Sequence, residues 1–296
     1  MEISSDGANP LFKTKEGEID YYKAYDATLS LWPVPAQEND IPTRFGSTHL
    51  VMSGNRASAP LVLFHGAQAS STMWFPNIAA LSNRYCVYAV DFLLEAGKSV
   101  PARLLSNRQD LSKWILDVLD CCSLHRPAMV GMSRGGWNAV AFALDYPKRV
   151  DKLVLLSPAQ TITPIRNLRF LAASVLCSLF PADKRTMRMV RLVSWDWRKL
   201  SPLFLKQYGL ALRHFRIANG IQVPPTLFSD QELHSLSVPI LLMIGDHDIV
   251  NNQASLQKAR RLMPNITAEL VTQAGHLVSM DQPEYVNNRI IEFLST

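Results

Sequence analysis

The sequence predicts an α/β fold: a mostly parallel central sheet with helices on both faces and a helical cap inserted between two of its strands. Three observations lead there. Six short apolar runs lack the polar alternation of a half-exposed sheet, so they read as strands buried on both faces. They are Leu61–Phe64, Tyr85–Val90, Ala128–Val130, Lys152–Leu156, Val238–Ile244 and Ala268–Thr272. Helix-patterned stretches separate most of them, and strand, helix, strand in repetition implies parallel neighbours. From Gln160 to Ser237 the rhythm stops: no strand pattern occurs, only helical pattern punctuated by Pro164, Pro181, Pro202, Gly220 and Pro224–Pro225. A connection that long is rarely structureless, which is why it is expected to be a cap.

The elements follow in chain order. The opening MEISSDGANPLFKTKEG is polar and has no apolar segment of the kind that directs secretion. Residues 1–45 are expected to form an N-terminal extension with a helix over Tyr21–Leu31, and Thr48–Met52 an antiparallel edge strand. Helices are predicted over Met73–Ser82, Leu111–Leu124, Trp137–Tyr146, Gln253–Met263 and Glu284–Leu294. Residues 1–159 and 238–296 then make the core, and 160–237 the cap. With 296 residues, 48% of them hydrophobic and 19% charged, the chain has ample material for one core with an insertion.

Composition narrows the setting. The longest apolar run, Phe170 to Phe180, falls short of the about 20 residues that span a bilayer, so no transmembrane segment is expected. Cys86, Cys121, Cys122 and Cys177 lie in apolar stretches without metal-ligand spacing. They read as buried free thiols and suggest a reducing, cytoplasmic location. The formal net charge of +5 is unevenly placed, since Gln160–Ser237 holds 11 Lys/Arg against 4 Asp/Glu. No nucleic-acid-binding motif accompanies that charge, so no nucleic-acid partner is expected.

Polar residues gather where the apolar runs end. His65-Gly66 follows the first run, Asp91 the second, Ser133 the third, Asp246 and Asp248 the fifth, and His276 the sixth. In open parallel sheets ligands bind beyond the carboxyl ends of the strands, so this convergence marks a site. Gly131-Met132-Ser133-Arg134-Gly135 is a G-x-S-x-G between a strand and a helix. A serine there sits on a sharp turn with its hydroxyl above the sheet, tolerated when the residues two positions away lack a Cβ. A glycine-rich turn with an incidental serine would read the same, and its partners decide. A serine hydroxyl needs a base, and a histidine base needs a carboxylate. His276 supplies the first, and Asp246 and Asp248 compete for the second.

Gly131–Gly135, the G-x-x-D of Gly245–Asp248, Gly275-His276 and the H-G-x turn His65-Gly66-Ala67 together resemble the signature segments of α/β-hydrolase fold enzymes. The similarity runs from about Leu61 to Leu294. It implies that Asp248, not Asp246, is the triad acid, in the family's chain order of serine, acid, histidine. It also implies an oxyanion hole from the backbone N–H groups of Ala67 and Arg134, with His65 positioning the loop. Where many members carry D-x-P-G-x-G-x-S, this chain reads Asp91-Phe92-Leu93-Leu94-Glu95-Ala96-Gly97-Lys98-Ser99, one residue longer and without the proline.

The resemblance implies a serine hydrolase that cleaves a small-molecule carboxylic ester, thioester or amide through an acyl-enzyme, with no metal or organic cofactor. A serine nucleophile disfavours the aspartate-dependent dehalogenases and epoxide hydrolases of the fold. A slow-turnover ligand sensor and a carbon–carbon bond hydrolase remain alternatives. For the cap, a lid with a merely solvated basic face competes with one whose basic face makes weak contact with a membrane surface.

Overall fold

Nine strands form one sheet: β1 (Gln37–Thr43), β2 (Gly46–Ser53), β3 (Pro60–Phe64), β4 (Cys86–Val90), β5 (Val100–Pro101), β6 (Ala128–Met132), β7 (Leu153–Leu156), β8 (Ile240–Gly245) and β9 (Ile266–Val271). The computed structural model describes residues 9–216 and 223–296. The first eight residues of the expected extension, and 217–222 of the expected cap with Gly220, lie outside the described residues. The strand order is β1-β2-β4-β3-β6-β7-β8-β9, with β5 on β2. From β4 through β9 neighbours run parallel, while β1 and β2 are antiparallel.

The six apolar runs became β3, β4, β6, β7, β8 and β9, and burial explains the missing alternation in the first five. β9 is expected to be buried on both faces too, but it is the outermost strand and leaves Thr267 and Leu270 exposed. Val62, Phe64, Met129 and Leu155 face one apolar layer, and Leu61, Leu63, Val130 and Leu156 the other. The first layer is covered by α3 (Arg108–Cys121), α4 (Arg134–Asp145) and α9 (Gln253–Leu262), through Trp114, Phe142 and Leu256. The second is covered by α2 (Ile78–Ser82) and, after the single turn α10 (Val278–Asp281), by α11 (Pro283–Ser295), through Leu81 and Ile290. Period-two packing against helices on both faces makes every position apolar.

Three further expectations need correction. The Thr48–Met52 strand is β2, but it is not an edge, because β1 pairs outside it from Gln37 opposite Met52 to Thr43 opposite Gly46. The QENDIPT sequence of β1 is polar and contains Pro42, which an outermost strand tolerates, so no apolar pattern revealed it. The single helix expected over Met73–Ser82 is instead a 3₁₀ turn at Ser71–Trp74 and the short α2. Pro76 lies between them and has no N–H to donate, so the helical hydrogen-bond ladder is interrupted there. All four cysteines are free, but Cys121 is exposed and Cys122 half-buried, because α3 turns that end outward.

The N-terminal helix α1 (Lys15–Leu29) starts with the Thr14 hydroxyl accepting from the Gly17 N–H at 3.0 Å. It packs against α7 (Pro202–His214), one of four helices among the described residues between β7 and β8, with α5 (Leu168–Leu179), α6 (Asp183–Val193) and α8 (Asp230–Ser235). Buried Gln207 on α7 donates to the Tyr21 hydroxyl at 3.2 Å and to Ser70 Oγ at 2.9 Å, and accepts from Thr72 Oγ1 at 2.9 Å. Residues 9–29 therefore strap the inserted helices to the sheet. Among the described residues no helix is long and apolar enough to cross a membrane.

Candidate active site

Ser133 occupies the turn between β6 and α4 with φ +51° and ψ −112°, a conformation that costs a non-glycine residue of order 1–3 kcal/mol. The surroundings enforce it. A Cβ on Gly131 would collide with the Gly135 carbonyl, and one on Gly135 with the Phe64 carbonyl of β3. The two glycines let β6 and α4 meet at this angle and let α4 press against β3. The Ser133 N–H donates to Leu156 O of β7 at 2.9 Å, which fixes the turn to the neighbouring strand.

The hydroxyl thus lifted donates to His276 Nε2 at 2.8 Å, and His276 Nδ1–H donates to Asp248 Oδ1 at 3.0 Å. Both partners are buried. Burial alone would raise the Asp248 carboxyl. The His276 charge and hydrogen bond, the Val250 N–H at 2.8 Å and the Asn251 amide at 3.1 Å outweigh it, leaving it below the usual carboxylate range. An ionised Asp248 holds His276 in the tautomer that presents a free lone pair to Ser133. Asp246 makes other contacts: its Oδ1 accepts from the Ala274 N–H at 3.1 Å and from His247 at 2.7 Å, and it does not reach His276.

Gly66, Ala67, Ser133, Arg134 and His276 share the wall of one cavity. The backbone N–H groups of Ala67 and Arg134 have no protein acceptor among the described residues. Arg134 is the first residue of α4, whose positive dipole end favours a negative charge there. His65 braces the loop: its Nδ1–H donates to Gly66 O at 2.8 Å and its Nε2 accepts from the Phe92 N–H at 3.0 Å. Burial lowers the His65 pKa against the opposing effects of Asp91 and the Gly66 carbonyl, so the ring is the neutral tautomer those two bonds require. Asp91 stays out of the cavity, its carboxylate accepting from the Ser71 and Lys98 N–H groups at 2.7 and 2.9 Å.

Two residues escaped sequence reasoning. Buried Glu95 comes from the loop that departs from the family pattern, and its Oε2 accepts from the Gln68 N–H at 3.0 Å and side-chain amide at 3.2 Å. Gln68 has φ +58°, so the carboxylate clamps a strained residue directly after Ala67. Burial pushes the Glu95 carboxyl up, opposed by the charge of Arg134 and the Gln68 N–H. Asp281 holds the other side, accepting from the Gly275 N–H at 2.8 Å, Trp195 N–H at 3.0 Å and Ser194 hydroxyl at 2.7 Å. The one-residue lengthening of the Asp91–Ser99 segment was the only sequence signal for Glu95.

The cavity has a volume of about 360 Å³ and is walled mostly by apolar side chains, including Met73, Phe170, Met189, Phe204 and Leu277. Phe170 of α5 lies 6.4 Å from the His276 ring, centroid to centroid, and Leu277 N–H donates to Val193 O of α6 at 3.1 Å. The inserted helices thus roof the serine and grip the histidine loop. A hydroxyl with its base in place, unpaired N–H groups alongside and a dry wall can attack an acyl carbonyl and hold the resulting oxyanion. Among the described residues no group of three or more His, Cys, Asp or Glu side chains converges as a metal site.

A family model described as "Alpha/beta hydrolase family" matches residues 61–289. The chain is 37% identical to the uncharacterised carboxylesterase nap of Bacillus subtilis, over 98% of this chain and 97% of that protein. It is 36% identical to carboxylesterase YbfK of the same species, over 96% of each. Among solved structures it superposes on naproxen esterase (carboxylesterase NP) from Bacillus subtilis with a TM-score of 0.90 at 37% identity, covering 95% of this chain and 99% of that one.

Proposed function

The chain belongs to the alpha/beta hydrolase family, and we propose that it is a carboxylesterase-type serine hydrolase with Ser133 as nucleophile, His276 as base and Asp248 as acid. The observation that carries this reading is the continuous relay of Asp248, His276 and Ser133 at 3.0 and 2.8 Å, opening onto an apolar cavity. Ser133 Oγ attacks the ester carbonyl as His276 takes its proton, and the Ala67 and Arg134 N–H groups receive the oxyanion. His276 then gives the proton to the departing alcohol and later deprotonates the water that releases the acid. Glu95 acts through Gln68 by holding Ala67 in position.

The substrate is the ester of a compact, apolar carboxylic acid, in keeping with a cavity of about 360 Å³ and with relatives named as carboxylesterases. We take residues 160–237 as the cap that shapes this pocket and 1–159 with 238–296 as the core. Four free thiols support a cytoplasmic location. The exposed basic residues of the cap support weak contact with a membrane surface.

The test is a panel of acyl esters, thioesters and amides run beside Ser133→Ala. Multiple turnover on esters, lost in Ser133→Ala, is the expected outcome. A stoichiometric burst without turnover makes the site a sensor, and cleavage restricted to carbon–carbon substrates makes it a different hydrolase.

A further inference from the structure

Six of the twelve exposed large hydrophobic side chains among the described residues fall within 168–180. They lie on α5 and on Phe180, the residue that caps it, and the two sides of the helix differ. Phe170, Ala173 and Cys177 point inward, Phe170 and Cys177 reaching the cavity wall. Leu168, Val175, Leu179 and Phe180 point outward at 78%, 56%, 66% and 58% exposure. Leu168, Val175 and Leu179 are spaced as one helix stripe, which Phe180 extends beyond the helix end, and an apolar stripe of that size on a surface marks a contact rather than scattered exposure.

The charge around the stripe selects its partner. Exposed Arg166 and Arg169 stand at its N-terminal end, and α5 itself contains no acidic residue. At its other end Lys184, Arg185, Arg188 and Arg213 line a second, open cavity of about 620 Å³, where the sole carboxylate, Asp183, is held by Arg213 at 2.6 Å. Arg185 donates to Phe180 O at 2.7 Å, with its guanidinium 5.9 Å from the Phe180 ring, so cation and apolar tip form one unit. A second copy of this chain laid on the stripe in a two-fold dimer would bring like charges together. A surface that is apolar within and anionic at its face complements it.

We propose that the outer face of α5 and the basic cavity at its end dock the protein on an anionic lipid bilayer, with Leu168, Val175, Leu179 and Phe180 among the acyl chains and Lys184, Arg185 and Arg188 at the phosphates. Because the inner face of the same helix roofs Ser133, docking sets the proposed ester-cleaving site beside lipid-dissolved esters. That consequence rests on the esterase reading; the docking itself does not.

The experiment is flotation of the full chain carrying Ser133→Ala with vesicles of phosphatidylcholine, alone or containing phosphatidylglycerol. The protein is expected to float with the anionic vesicles at low salt, to stay behind with neutral ones, and to be released as salt screens the attraction. A basic residue at such a surface is worth about fivefold in partitioning, so Arg185→Gln with Arg188→Gln should weaken binding by about 25-fold. Leu179→Ser with Phe180→Ser should abolish it. With Ser133 restored, both double variants should hydrolyse a small soluble ester as the parent does, which controls for folding. No flotation with anionic vesicles at low salt overturns the proposal, as does equal binding to neutral vesicles. A solution dimer that Leu179→Ser with Phe180→Ser dissociates overturns it too, by giving the stripe to a second copy. Because binding is read on Ser133→Ala, its failure leaves the esterase reading untouched.

Discussion

Replacing Asp248 by asparagine removes one charge from the relay and almost nothing else. Asp248 Oδ1 accepts from His276 Nδ1 and the Val250 N–H, while among the described residues Oδ2 accepts only from the Asn251 side chain. An asparagine therefore keeps its carbonyl toward His276 and Val250 and turns its amide toward buried Asn251, whose Oδ1 has no partner among the described residues and can accept from it once the Asn251 amide flips. The imidazole keeps its tautomer in that arrangement, and the loss is the stabilisation of the imidazolium formed during attack. Unit charges about 4 Å apart at an effective dielectric constant of about 20 attract by about 4 kcal/mol. That corresponds to about 10³ in kcat, rising toward about 10⁴ where the amide turns over and inverts the tautomer. The assay is steady-state hydrolysis of a small ester, with kcat and KM resolved and thermal unfolding as a folding check. Asp246→Asn is the control, because Asp246 contacts the Ala274 N–H and His247 but not His276, and it should cost less than about tenfold. Comparable losses in the two variants, or a larger one for Asp246→Asn, would refute the reasoning.

Three further outcomes are expected. Glu95→Ala frees the strained Gln68, so kcat should fall by about 10–100-fold with KM little changed, and Glu95→Gln, which keeps an acceptor for the Gln68 N–H, should recover much of it; an unchanged kcat in Glu95→Ala would remove Glu95 from the oxyanion loop. Asp248 has a folded pKa below its unfolded value, so the stability it contributes is present above the ordinary carboxylate range and lost as pH falls through the folded value. The Tm difference between wild type and Asp248→Asn should therefore shrink in that acid window and stay level above it. Lengthening the acyl chain should raise kcat/KM by about fourfold per buried methylene until the cavity is full, whereas a flat series would place the acyl group elsewhere.

The sheet was legible because burial on both faces leaves strands such as β3 and β8 without a polar position. The turn at Ser133 was legible because its geometry demands glycine at 131 and 135, which a sequence displays directly. What stayed hidden lacks such a signature. β1 is polar and outermost, so it follows from its pairing with β2 and from nothing in its own composition. Ser71–Trp74 and α2 share one apolar pattern, and only Pro76, which has no N–H to donate, divides it. The choice between Asp246 and Asp248 needed the family resemblance, since both carboxylates follow the same strand. Glu95 accepts the Gln68 N–H and Asp281 the Trp195 N–H, both from loops distant in sequence, which no local pattern encodes.

The central claim is that Ser133 is the residue that becomes acylated, and a fluorophosphonate tests it most directly, read by intact mass. One adduct per chain, located on Ser133, is predicted. Ser133→Ala should carry none and lose on the order of 10⁴–10⁶ in kcat. An adduct on another residue, or full ester turnover by Ser133→Ala, would contradict the account.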